Sequence, residues 1–163
     1  MLPLAVTAAQ FNLDPHVVLV RTRDLELIGV GRTPLETDLA RVAAEQGLKI
    51  VPEENTEAGW YYRSDHYALA QKGVSGVYFR ASRDLINGGL VAGERERARY
   101  NAACYHQTCD EFDPRWDMTG AAQEGSVAYV LGREIATGRS WPSWSAAEPL
   151  AAEQAKSEAV RQP

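Results

Sequence analysis

Thr33-Pro34-Leu35-Glu36-Thr37-Asp38-Leu39-Ala40-Arg41-Val42-Ala43-Ala44-Glu45-Gln46-Gly47-Leu48-Lys49-Ile50-Val51-Pro52 is the stretch on which the fold turns. Thr33 supplies a side-chain oxygen for the unpaired N–H groups of a first helical turn, and Pro34 sits where no N–H donor is needed. Glu36, three residues after Thr33, reaches back to complete a capping box. Leu35, Leu39, Val42 and Ala43 recur at helical spacing and give the helix one apolar face. Gly47 supplies the left-handed stop, and Leu48-Lys-Ile-Val-Pro52 then predicts a short strand.

The same alternation extends in both directions. Upstream, Leu25-Glu-Leu-Ile-Gly-Val30 predicts a strand, as does Thr7-Ala-Ala-Gln-Phe-Asn-Leu13, which stops at Asp14-Pro15. Downstream, residues 53–63 predict a loop rich in acids and aromatics. Ser64 caps a helix over residues 65–72, Gly73 ends it, and Val74-Ser-Gly-Val-Tyr-Phe79 predicts another strand. Strands alternating with helices give an α/β fold, a mixed and largely parallel sheet flanked by helices. Between Phe79 and Trp116 no period is visible, which predicts a long irregular stretch of the kind that usually serves function. Thr119–Thr137 predicts the last core helix, with Met118, Ala122, Val127, Leu131 and Ile135 roughly on one side and Gly138 as its end. Residues 1–138 therefore form the domain. In the tail, 139–163, Trp141-Pro-Ser-Trp144 reads as an anchored turn and residues 146–160 as a weak surface helix or frayed end.

Composition limits the function classes. The 163 residues are 45% hydrophobic and 24% charged, within the range of an ordinary globular domain. A net charge of -5 argues against a nucleic-acid partner, which selects a basic face. Apolar runs such as Phe11–Leu13 are far too short for a membrane span. The opening residues lack the parts of a signal peptide and lead straight toward a strand. A chain that begins in this way reads as a fragment, incomplete on its N-terminal side.

Three histidines are candidates for chemistry. His106 lies in Ala103-Cys-Tyr-His-Gln-Thr-Cys-Asp110, between two cysteines and inside the unpatterned stretch, where scaffold-held loops concentrate function. His66 follows Arg63-Ser-Asp65 at a predicted helix start. His16 has no evident partner. Asp14, at the end of an apolar strand, stands where α/β sheets place their ligand crevice, although an Asp-Pro turn accounts for it equally well. No compact zinc signature is present, so spacing alone establishes no metal.

Phe11-Asn-Leu-Asp14, Tyr62-Arg-Ser-Asp-His-Tyr67, Lys72-Gly-Val74 and Cys104-Tyr-His-Gln-Thr-Cys-Asp110 together resemble, in order and spacing, the zinc-dependent exopeptidases of peptidase family M28, the co-catalytic zinc aminopeptidases. The likeness runs from about Ala8 to Ile135. It implies a zinc-exopeptidase fold, two zinc ions and a peptide substrate. Asp14 would ligate one zinc and His106 the other. Tyr105 would stabilise the oxyanion, Arg63 would lie near the substrate, and Asp65, His66 and Asp110 would support the site.

The family's remaining ligands, a histidine, a bridging aspartate and a glutamate, and its general-base glutamate would precede this chain. Glu53-Glu54 copies the glutamate pair but follows Asp14 instead of preceding it, so it is rejected as the catalytic pair. The expectation is therefore the C-terminal part of a metallo-aminopeptidase, inactive until joined by the missing N-terminal half. The family also implies a Cys104–Cys109 disulfide, hence a secreted or periplasmic parent. Two other readings stay open: a non-catalytic interaction domain of the same fold, and an acyltransferase of the glutaminyl-cyclase type with one zinc.

Overall fold

A computed structural model describes residues 3–14 and 20–161. Its centre is a four-stranded sheet of β1 (Gln10–Asn12), β2 (Asp24–Ile28), β3 (Lys49–Pro52) and β4 (Gly76–Ala81). The order is β1-β4-β2-β3; β1 runs parallel to β4, β2 parallel to β3, and β2 antiparallel to β4. The sheet is thus mixed, with two of its three pairings parallel.

Helix α1 (Leu35–Glu45) forms as its cap dictates. Thr33 Oγ1 accepts from Leu35 N–H at 3.3 Å, and Glu36 Oε1 accepts from the N–H groups of Thr33 and Arg32 at 3.1 and 2.7 Å. A cap of this kind contributes about 1 kcal/mol. Leu35, Leu39, Val42 and Ala43 are all buried, and they meet Val127 and Leu131 of helix α5 (Thr119–Thr137) over Leu25, Leu27, Val77 and Phe79 of the sheet. Alternation along the strands sends Ile28 and Tyr78 to the opposite face, against Tyr61. That face is covered by two short helices, α2 (Trp60–Arg63) and α3 (His66–Ala70), the first within the predicted loop.

One expectation fails. The unpatterned stretch after β4 contains helix α4, fifteen residues from Gly89 to Ala103. Its sequence alternates arginine with glutamate and has two glycines in its first five residues, so it presents no apolar stripe to read. Gly93 is its buried residue, and a Cβ there would lie 1.9 Å from the Arg83 carbonyl oxygen. The glycine permits a backbone-to-backbone approach in place of side-chain packing.

The segment beyond α5 is tied to the domain. Trp144 is buried, Thr33 Oγ1 and Ser75 Oγ both donate to the Ser143 carbonyl, and Arg32 pairs with Glu148 at 2.7 Å. Helix α6 (Leu150–Ala155) brings in Gln154, whose side chain accepts from Trp144 N–H and donates to the Pro142 carbonyl. Among the described residues, no helix is long and apolar enough to cross a membrane.

Candidate active site

Asp14 follows β1 by two residues and is exposed where the strand ends. Its charge is felt at the hydroxyls of both Tyr78, on β4, and Tyr100, on α4. Tyr100 donates a 2.8 Å hydrogen bond to Asp110, and burial followed by that carboxylate pushes its pKa up to about 12. The phenol is therefore a fixed neutral donor. Its ring lies 6.0 Å from that of Tyr105, which stacks on the His106 imidazole at 3.9 Å.

The turn that carries Tyr105 and His106 follows the end of α4 and is closed by a Cys104–Cys109 disulfide, with a Cα separation of 5.2 Å. His106 is the one non-glycine residue with positive φ (58°) among the described residues. Holding an imidazole there costs on the order of 1–2 kcal/mol. Such outliers cluster at functional sites.

Arg63 arrives from the other side. Gly59, with φ of 65°, turns the chain into α2, and the Arg63 guanidinium lies 5.5 Å from the Trp60 ring. Trp60 meets Tyr105 edge-on at 6.5 Å and has Arg80 at 5.5 Å as well. Trp60 thus links Arg63, Tyr105 and His106 into one aromatic cluster, and the charge of Asp14 is felt at its Tyr100 arm. Sequence reasoning missed Trp60 and Tyr100. Trp60 stands in the aromatic run just before Arg63-Ser-Asp-His66, and Tyr100 lies four residues before Cys104; those positions were the available signal.

The supporting residues divide. Asp110 orients Tyr100, as described. Asp65 is exposed at the start of α3. His66 is buried behind the cluster, its ring 4.7 Å from Tyr61 and 5.1 Å from Tyr78. His16 lies outside the described residues.

Burial first, and the Arg32 charge second, lower the His66 pKa to about 4, while Asp65 opposes them. His66 is therefore neutral near pH 7. Because the unfolded chain binds the proton more tightly, stability is full above the ordinary histidine pKa and is lost as pH falls from there toward about 4. The loss approaches about 3 kcal/mol at most. Urea melts of wild type and His66→Phe at about pH 7 and about pH 4 should diverge by up to that amount. Parallel pH profiles would contradict the assignment.

The donors fit zinc in kind, one carboxylate oxygen and one imidazole nitrogen. They do not complete a site: among the described residues, no group of three or more His, Cys, Asp or Glu side chains is placed to hold a metal ion. A sequence model of peptidase family M28 matches residues 3–130, a span that includes every residue of the cluster. No curated protein and no solved structure matches the chain.

Proposed function

Because the chain belongs to peptidase family M28, we propose that it forms one wall of a metallo-aminopeptidase centre that removes N-terminal residues from peptides. The observation that carries this reading is the gathering of Arg63, Tyr105 and His106 around Trp60, with the charge of Asp14 felt at Tyr100. Asp14 would hold one zinc ion and His106 a second, the other ligands coming from a segment outside this chain. When bound, a zinc pair supplies Lewis-acid polarisation and a nucleophilic water at neutral pH.

This chain's own residues supply position and charge. The positive φ of His106 and the short disulfide turn fix its imidazole in advance, so little freedom is lost when a ligand is engaged. Tyr105, stacked on that imidazole, would supply a phenolic donor to the developing oxyanion. The Arg63 guanidinium, exposed and resting on Trp60, donates from Nη1 to the Ala58 carbonyl in a long 3.5 Å bond and keeps further donors for a substrate carbonyl or carboxylate. The Cys104–Cys109 bond supports residence in an oxidising compartment, secreted or periplasmic.

The test is complementation. The chain alone, with zinc added, should give no turnover of an amino-acid anilide. Adding a segment that carries a histidine, a bridging aspartate and two glutamates should restore turnover if the two assemble. Robust metal-dependent turnover by the chain alone would show that the catalytic centre lies elsewhere.

A further inference from the structure

Between the C-terminal ends of the parallel strands β2 and β3 and the start of α2 lies a hollow of about 370 Å³, lined by Gly29, Arg32, Pro52, Glu53, Tyr61 and Tyr62 among others. Crevices beyond the carboxyl ends of parallel strands are where α/β sheets receive ligands. Three buried polar atoms on this one lining have no hydrogen-bond partner: Glu53 Oε2, Arg32 Nε and the Tyr61 hydroxyl. Buried polar groups are paired in more than nine cases in ten, so three lapses on one wall call for a polar occupant.

The chemistry of the three atoms specifies that occupant. Arg32 spends its terminal nitrogens on Glu148 and on the Tyr62 hydroxyl, which leaves Nε as a spare charged donor. Glu53 has no ion pair among the described residues, whereas its neighbour Glu54 is bonded to Arg83. One unpartnered carboxylate oxygen and one spare guanidinium donor thus share a hollow whose remaining walls mix glycine, valine, proline and threonine with the two tyrosines. We infer that the hollow binds a free α-amino acid. Its ammonium is held by Glu53, its carboxylate by Arg32 Nε and the Tyr61 hydroxyl, and its side chain rests on the ring of Tyr62, the exposed one of the two tyrosines, since Arg32 already covers the Tyr61 ring. This goes beyond the peptidase reading and stands or falls without it, because it concerns binding and not turnover.

Calorimetric titration of the chain with L-phenylalanine, phenethylamine and 3-phenylpropanoate tests it. The three probes share a ring but carry both charged groups, the amine alone or the acid alone. Phenylalanine should bind at least about tenfold more tightly than either one-ended probe, since each charged hydrogen bond contributes about 1.5–3 kcal/mol. Glu53→Gln, which keeps the side-chain shape, should weaken phenylalanine by at least about tenfold while leaving the amine-free probe unchanged. Equal affinity for all three probes would overturn the assignment, and so would no binding at all, with only ordered water on the three atoms in a crystal structure. Should Glu53→Gln fail to fold, the comparison of the three probes on wild type decides the matter.

Discussion

Changing His106 to alanine in the complete, zinc-loaded enzyme is expected to lower kcat/KM by at least about a hundredfold. Loss of a mere outer-shell partner of a ligand already costs about 10–100-fold in metal affinity or activity, and His106 is proposed as a ligand itself. The imidazole is exposed and its loop is closed by the Cys104–Cys109 bond, so the substitution removes little packing. The two effects separate further in His106→Gly. Glycine adopts a φ of 58° without strain, so that variant should be as stable as wild type, or more so, and equally inactive. Asp110→Asn, which weakens the bond fixing Tyr100, should cost less, since it reaches the site only through Tyr100 and Tyr105. Zinc content, anilide turnover and thermal melts on the same three variants make the comparison. Wild-type turnover from His106→Gly would remove His106 from the metal site.

The elements that position the site were readable where side-chain period and end chemistry agree. The Thr33–Glu36 box and the Leu35, Leu39, Val42 and Ala43 face define α1, and Gly47 ends it, because local hydrogen bonding and burial demand the same residues. Helix α4 was hidden for the opposite reason. It packs through a glycine backbone at Gly93 and leaves its alternating charges outside, so no hydrophobic period is written in it. The site was legible only as separate short motifs. What brings them together is Trp60, whose ring contacts link α2 to the Cys104–Cys109 turn across dozens of intervening residues. No local pattern encodes that contact. Glu26 depends on another contact of this kind: period two in Leu25-Glu-Leu-Ile28 places it on the face opposite Leu25 and Leu27, and because that face is covered as well it is 2% exposed.

The burial of Glu26 sets the second large effect. Glu26 on β2 stands directly opposite Arg80 on β4, and Arg80 reaches Glu26 Oε2 through Nε at 2.9 Å and Nη2 at 2.8 Å. Both side chains are almost fully buried, and Arg97 from α4 lies 3.8 Å from the other carboxylate oxygen. Arg80→Ala would leave Glu26 buried with only that more distant partner. Removing one member of a buried pair costs about 3–5 kcal/mol, because the survivor keeps its desolvation penalty without its compensation. In a domain of this size, that lowers Tm by roughly ten degrees. The pair itself need not be stabilising. Replacing both residues by apolar ones, as in Glu26→Leu with Arg80→Met, should recover much of the loss, since the fully buried charges are gone and only Arg97, about a quarter exposed, loses a distant partner. Arg80 also lies against Trp60, so the double variant should fold yet turn over more slowly in the complete enzyme, its aromatic cluster having lost one guanidinium neighbour. Urea melts of the single and double variants separate these expectations. A double variant no more stable than Arg80→Ala would mean that packing around these side chains, and not the stranded charge, governs this face of the sheet.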